Sequence, residues 1–186
     1  MRILLIDNET TLLTKLQALI PGDKVVRRYS SLCEADSDSY DLVILSGGSH
    51  FPIEGNEEKL KSEIDLIKNS HRPIIGICFG CELIAYSFGS TLSRLPRKQK
   101  GIVEIEVIAD PELFGGRDSF TAYENHRYTV ERLPNDLVAL ARSDHGIEAI
   151  KHKTRHIYGL QFHPENFVEQ TYGDEIFFNL LKMFKK

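Results

Sequence analysis

The sequence lacks tryptophan altogether and has only three cysteines, Cys33, Cys78 and Cys81. Such a small, odd number is untypical of a secreted disulfide scaffold and fits a reducing compartment, so we expect a cytoplasmic protein. No apolar run reaches the ~18 residues that a membrane-spanning helix needs. The apolar run at residues 1–6 is shorter than that of a signal peptide and lacks a small-residue cleavage site. We therefore expect neither membrane insertion nor export.

A basic excess is also missing, since the formal net charge is −4. Because proteins that bind nucleic acids usually carry a basic face, this charge argues against a nucleic-acid partner. The phosphate-binding pattern G-x-x-x-x-G-K-S/T is absent, so any ATP-dependent step would need another chain. The 186 residues, with 41% hydrophobic and 27% charged side chains, fit one globular domain spanning residues 1–186.

Short apolar segments alternate with helical patterns in the first half of the chain. This alternation predicts a parallel sheet with helices on its faces. The second half has several strand patterns separated by turn residues, which predict added antiparallel strands. The predicted strands are residues 2–6, 25–29, 41–45, 73–77, 101–109, 119–124, 137–142, 147–152 and 156–161, and the predicted helices are 12–20, 57–68, 82–88 and 172–184. We predict that the basic run at residues 94–100 is a solvated loop, with an acidic partner as the alternative.

A candidate nucleophile lies between a predicted strand and a predicted helix. The segment Gly76-Ile77-Cys78-Phe79-Gly80 has the pattern G-x-C-x-G, the thiol version of a nucleophile elbow. The flanking glycines allow the tight turn that exposes the reactive side chain at the edge of the sheet. The positive end of the helix dipole favours a thiolate, so we predict a lowered pKa for Cys78.

A candidate base follows a later strand, in Gln161-Phe162-His163-Pro164-Glu165. From the carboxyl end of that strand, His163 can approach Cys78 and carry a proton to the leaving amine. Glu165 would fix the tautomer of the imidazole. An acyl transfer also needs oxyanion donors. We expect one from the backbone N–H of Phe79 and a second from the glycine-containing loop at residues 46–49.

Together these segments resemble the class I (triad) glutamine amidotransferases. The resemblance is carried by residues 44–48, by residues 73–80 with 83–85, and by residues 158–165. It implies a flavodoxin-like α/β fold and hydrolysis of L-glutamine through a γ-glutamyl thioester on Cys78, with ammonia passing to an ATP-dependent synthetase on a separate chain. It also implies a catalytic triad of Cys78, His163 and Glu165.

The same resemblance implies that the backbone N–H groups of Gly48 and Phe79 bind the oxyanion. Residues 125–128 resemble the family loop that holds the backbone atoms of glutamine, which makes Asn125, Arg127 and Tyr128 candidate substrate contacts. Within the family, residues 114–116, 123–126 and 152–155 resemble the free-standing glutaminase subunits of GMP synthases. We expect no cofactor and no metal ion.

Three positions depart from the family pattern. Where the family usually has histidine and then glutamine after the elbow, this chain has Cys81 and Glu82. Glu82 can accept from the α-ammonium group of a substrate but repels its α-carboxylate unless a cation such as Arg127 offsets the charge. Arg127 and Tyr128 replace a usual glycine and aspartate. Residues 49–51 separate the Ser-Gly-Gly segment from Pro52, which usually follows it directly.

Other functions remain open from the sequence. Glu82 favours, as the main alternative, a γ-glutamyl peptidase or hydrolase that acts on another γ-glutamyl compound. Cys78 and Cys81 also form a C-x-x-C pattern, which is typical of dithiol redox proteins. The redox alternative leaves His163 and Glu165 without a role.

Overall fold

The computed structural model describes residues 1–32, 39–48 and 50–185. Cys33 and Ser49, which the sequence analysis named, lie outside the described residues. The strands are β1 (Arg2–Asn8), β2 (Asp23–Arg28), β3 (Leu42–Gly48), β4 (Ile74–Ile77), β5 (Thr91–Val107), β6 (Ser119–Arg132), β7 (Leu137–Ser143), β8 (Gly146–His152) and β9 (Ile157–Leu160). The α-helices are α1 (Leu13–Leu19), α2 (Glu57–Asn69), α3 (Phe79–Ser87) and α4 (Gly173–Met183), with 3-10 turns at Tyr29–Ser31 and Pro111–Phe114.

The described strands form one sheet in the order β2-β1-β3-β4-β9-β8-β7-β5-β6. The first five strands in this order pair in parallel, and the remaining pairings are antiparallel. The α/β prediction, with a parallel first part and added antiparallel strands, is therefore confirmed. No helix among the described residues is long and apolar enough to cross a lipid bilayer.

The core lies on both faces of the parallel strands. In β1, Ile3 and Leu5 pack toward one face, with side chains of α1 and α4. Leu4 and Ile6 point to the other face, where α2 and α3 cover them. Because alternate residues of a strand face opposite sides, a strand buried on both faces has an uninterrupted apolar sequence. This explains why the short runs of the first half predicted their strands correctly.

The β5–β6 hairpin differs most from the prediction. The basic run at residues 94–100 belongs to β5, so the loop prediction is wrong. Residues 125–128, which resemble a loop, belong to β6 and pair with β5. The ladder shifts register between Arg94 and Gln99, so that residues 95–98 of β5 lie opposite Arg127 alone. Such a bulge bends the strand, and proline and charged residues in it hide a strand pattern in the sequence.

The hairpin reaches the carboxyl edge of the parallel strands. The N–H of His163, which follows β9, donates to the carbonyl of Tyr123 in β6 at 2.8 Å. The Asn125 carbonyl lies 4.0 Å from Cys78 Sγ. The parallel strands and β6 thus bring their polar residues to one place.

Candidate active site

Cys78 lies in a strained turn between β4 and α3. Its φ of +49° is in a region that non-glycine residues rarely adopt. Its N–H donates to the Leu160 carbonyl at 2.7 Å, and its carbonyl accepts from Glu82 N–H at 3.0 Å. A Cβ on Gly80 would lie 2.6 Å from the Leu45 carbonyl oxygen, so only glycine lets helix α3 approach β3 this closely. Strain held by surrounding hydrogen bonds is typical of functional sites.

The thiol of Cys78 is in a different electrostatic state from the one predicted. Burial raises the pKa of Cys78 well above its usual value, and the charges of Glu82 and Glu165 raise it further. The backbone N–H of Phe79 lowers the pKa but does not outweigh these effects. The prediction of a lowered pKa was therefore wrong, because it considered the helix end and not the burial or the carboxylates. The resting form is a thiol, and a base must remove its proton.

His163 and Glu165 form a buried pair on the segment after β9. His163 Nδ1 lies 2.9 Å from Glu165 Oε1, and their side chains are 5% and 0% exposed. Because an ionised carboxylate only accepts hydrogen bonds, Nδ1 carries the proton. His163 Nε2 is then the unprotonated nitrogen, and it is buried without a hydrogen-bond partner among the described residues. The pair thus holds an available proton acceptor inside the protein.

Gly47 shows how near this acceptor is to the thiol. A Cβ on Gly47 would lie 3.1 Å from His163 Cε1 and 3.7 Å from the Cβ of Cys78. The side chains of Cys78 and His163 therefore flank the same glycine. The structure brings together residues that are far apart in the sequence.

Two backbone segments border the cavity that contains Cys78. Gly48 at the end of β3 and Phe79 at the start of α3 both line it. A Cβ on Gly48 would lie 2.6 Å from the Asn8 carbonyl oxygen, so this position requires glycine. The predicted oxyanion donors thus lie on the wall of the same cavity as the thiol.

The cavity has a volume of about 330 Å³. The four predicted substrate contacts, Glu82, Asn125, Arg127 and Tyr128, all line it. A smaller adjoining cavity shares Gly48 and Asn125 with it and reaches His163. Every residue predicted for the site therefore lies in or next to these two cavities, with Glu165 behind His163.

Glu82 is held in a polar but buried setting. Gln161 Nε2 donates to Glu82 Oε1 at 3.0 Å and lies 3.8 Å from Cys78 Sγ. Burial raises the pKa of Glu82 to about 7, opposed by the hydrogen bond from Gln161 and the charge of His126. A carboxyl with this pKa changes charge near neutral pH.

The sequence patterns gave no role to several residues of the site. Gln161 was visible beside His163, but its contact with Glu82 depends on the pairing of β4 with β9. Lys98 was assigned to a solvated loop and instead lines both cavities. In β6, Glu124 and His126 continue the buried face begun by Phe120 and Ala122. Ionisable residues in such an apolar alternation are the signal that could have revealed them.

Cys81 does not share the surroundings of Cys78. It is 1% exposed, and its Sγ would lie 2.6 Å from a Cβ on Gly159 in β9. Its side chain therefore packs between α3 and the sheet, whereas Cys78 lines the cavity. This packing does not favour the dithiol alternative, because the second thiol of such a protein must reach the first.

Among the described residues, one buried group has the spacing of a metal site. Glu124, His126 and Glu148 each place one ligand atom within 4.8 Å of the others. Their hydrogen bonds and charges also suit a shared set of protons. The chemistry of the Cys78 thiol needs no step through a metal ion at this group.

Comparison with known proteins gives a consistent result. The sequence model of the family "Glutamine amidotransferase class-I" matches residues 4–184. A subunit of the glutamine-hydrolyzing GMP synthase of Methanocaldococcus jannaschii is 36% identical over 165 residues, which is 87% of this chain and 84% of that protein. The protein of the same name from Methanococcus maripaludis strain C5 is 39% identical over 163 residues, covering 86% of this chain and 82% of the relative.

Solved structures agree with the fold. A Thermoplasma acidophilum protein assigned as a GMP synthase subunit superimposes with a TM-score of 0.87 at 31% identity, covering 99% of this chain and 94% of that chain. A glutamine amidotransferase of Thermotoga maritima has the same fold, with a TM-score of 0.80, 19% identity and coverage of 98% and 97% of the two chains. The family match and the relatives span most of the chain. This chain therefore belongs to the class I glutamine amidotransferase family.

Proposed function

We propose that this chain hydrolyses L-glutamine to glutamate and ammonia and delivers the ammonia to an ATP-dependent synthetase on a separate chain. The observation that carries the proposal is the buried His163–Glu165 pair beside the Cys78 elbow, with an unpaired Nε2 as proton acceptor. The names of the relatives support a GMP synthase as the complete enzyme. We further propose that residues 1–186 act as one cytoplasmic domain.

The first chemical step joins Cys78 to the substrate. His163 Nε2 takes the thiol proton as Cys78 Sγ attacks the γ-carbonyl carbon of glutamine. The carbon–nitrogen bond then breaks, and the imidazolium gives its proton to the departing amine, which leaves as ammonia. Glu165 holds the imidazole in the tautomer that this transfer requires and stabilises its positive charge. Water, activated by His163, then hydrolyses the γ-glutamyl thioester.

The oxygen of the attacked carbonyl becomes negative during this step. The backbone N–H groups of Gly48 and Phe79 are the proposed donors to that oxygen. Phe79 begins α3, so its N–H also lies at the positive end of the helix. Because these donors are backbone groups fixed by β3 and α3, little reorganisation is needed when the charge develops.

The remaining cavity residues fit the amino-acid end of glutamine. Glu82 is the proposed acceptor for the α-ammonium group. Arg127 lines the same cavity and is the proposed partner of the α-carboxylate, with main-chain groups of Asn125 and Tyr128 completing the contacts. Lys98 adds a second cation to this wall, which reduces the repulsion between Glu82 and the α-carboxylate.

Glu82 also supports a second candidate function. A carboxylate near the thiol favours substrates that carry a cation, which includes some γ-glutamyl amines and peptides. The same nucleophile and base would cleave the γ-glutamyl bond in these compounds. A hydrolase for another γ-glutamyl compound is therefore the alternative.

A substrate panel separates the two functions. We expect kcat/KM for L-glutamine to exceed that for γ-glutamyl amines and γ-glutamyl peptides by at least about 10-fold, since one mismatched contact costs ~1–3 kcal/mol. The measurement is glutamate release by the reduced protein, alone and with the synthetase subunit of a GMP synthase. Glutamine should replace ammonium salt as the nitrogen source in the mixture. Faster cleavage of a γ-glutamyl peptide under both conditions would refute the glutamine assignment.

A further inference from the structure

A buried group of ionisable side chains lies behind the cavity, and the proposed reaction gives it no task. Glu124 and His126 come from β6, and Glu148 comes from β8. The two carboxyl groups are 0% exposed and His126 is 3% exposed. Glu124 Oε1 and Glu148 Oε2 have no hydrogen-bond partner among the described residues, although both atoms are buried. Burying such groups is costly, so their charges must be balanced within the group.

The hydrogen bonds of His126 indicate its protonation state. Its Nδ1 lies 2.7 Å from the carbonyl oxygen of Tyr128, and since a carbonyl only accepts, Nδ1 carries a proton. Its Nε2 lies 3.2 Å from Glu124 Oε2. If Glu124 is ionised, Nε2 also donates, and the ring is an imidazolium. Burial opposes this charge, but the hydrogen bond to Glu124 and the charge of Glu148 raise the pKa of His126 overall.

Glu148 completes the balance. Burial and the neighbouring charge of Glu124 raise the pKa of Glu148 to about 8, so its carboxyl is mainly protonated at neutral pH. Ser143 Oγ donates to Glu148 Oε1 at 2.7 Å. His145, at the turn between β7 and β8, has its Nδ1 3.7 Å from Glu124 Oε2. A neutral Glu148, an ionised Glu124 and a charged His126 give a group without net charge.

His126 also faces the reaction cavity, because it lines the same wall as Glu82. Its positive charge and the Gln161 hydrogen bond lower the pKa of Glu82, which burial raises. The titratable or charged groups around His126 and Glu82 are Glu124 and Arg127 on β6, Glu148 on β8, His145 in the β7–β8 turn, Lys98 on β5, and Cys78 and Cys81 on either side of Glu82 in α3. Among these, His126 is the buried cation whose charge favours the ionised form of Glu82.

We propose that His126 is a positioning residue, held as an imidazolium by Glu124, that keeps Glu82 ionised for binding the α-ammonium group of the substrate. The inference rests on the proposed function, because it assigns Glu82 to that group. His126 itself touches neither the thiol nor the scissile bond in this account. It acts through charge, across the cavity wall.

The binding of L-glutamine to the Cys78→Ala protein tests this without turnover. A bound α-ammonium group needs an ionised Glu82, so affinity should rise with pH through the pKa of Glu82, about 7. His126→Gln keeps a hydrogen-bonding side chain and removes the charge. We expect ~10-fold weaker binding at pH 7 and a binding midpoint about one pH unit higher, because loss of a nearby cation raises a carboxyl pKa.

Glu82→Gln provides the matched control. With no carboxyl at this position, the pH dependence should disappear, and adding His126→Gln should change the affinity little. A pH midpoint unmoved by His126→Gln, or an equal loss of affinity in the Glu82→Gln background, would contradict the proposal, since both outcomes indicate a purely structural role.

A second readout does not depend on glutamine. Nitrogen-15 spectra of labelled histidine, assigned by the signal missing from His126→Gln, should show both ring nitrogens of His126 protonated at pH 7. A neutral ring, or a stoichiometric metal ion bound at Nε2, would overturn the proposal. If the parent binds no glutamine while His126 is an imidazolium, the proposed substrate has failed and the charge assignment has not.

Discussion

Replacing Cys78 with alanine is expected to abolish glutamine hydrolysis, with kcat falling by at least about 10⁴-fold, as when the nucleophile of a triad is removed. The reason is that no thioester can form without Sγ, and no other described nucleophile lies beside His163. Cys81 cannot substitute, because its side chain packs against Gly159 and away from the cavity. The measurement is ammonia release at saturating glutamine.

Cys81→Ser is the matched control for this loss. It changes the same atom type three residues away in α3 and should retain activity within about fivefold, with a small loss of stability from the buried hydroxyl. Circular dichroism should show that both variants are folded. Measurable turnover in Cys78→Ala, or an equal loss in folded Cys81→Ser, would be incompatible with Cys78 as the nucleophile.

Replacing Glu165 with glutamine is expected to lower kcat by roughly 10²–10⁴-fold while KM changes little. An amide at this position can donate to His163 Nδ1, which places the ring proton on Nε2. That nitrogen then cannot accept the thiol proton. The effect is large here because burial raises the pKa of Cys78, so an unassisted thiolate is scarce. The measurement is steady-state kinetics across pH.

Glu169→Gln makes the same chemical change four residues along the chain, at an exposed side chain. It should leave kcat and KM unchanged. If Glu165→Gln behaved like Glu169→Gln, the carboxylate would have no part in orienting His163. A fall in activity at low pH alone would instead indicate an effect on protein stability.

The local patterns predicted much of this molecule because they reflect local physics. The apolar runs of β1 and β3 are buried on both faces, and such runs have few other stable placements. The G-x-C-x-G segment requires its glycines for backbone reasons, and the structure shows the close approach of Gly80 to Leu45. The segment around His163 was identified by its order relative to the elbow.

What the sequence did not predict depends on distant partners. Residues 125–128 are a strand because they pair with β5, whose bulge conceals the match. The pKa of Cys78 depends on burial and on Glu165, which lies far along the chain. The group formed by Glu124, His126 and Glu148 needs β6 and β8 to come together. Charge and protonation within a buried site follow from tertiary neighbours, which local patterns do not contain.

The central claim is that Cys78 is a nucleophile in a cavity shaped for glutamine. Its most direct test is intact mass spectrometry of the reduced protein after exposure to 6-diazo-5-oxo-L-norleucine, a glutamine analogue that traps such thiols. The account predicts a single adduct, with the mass of the analogue less dinitrogen, that disappears in Cys78→Ser and persists in Cys81→Ser. An adduct that persists in Cys78→Ser, or no adduct on the unmodified protein with or without its synthetase partner, would contradict it.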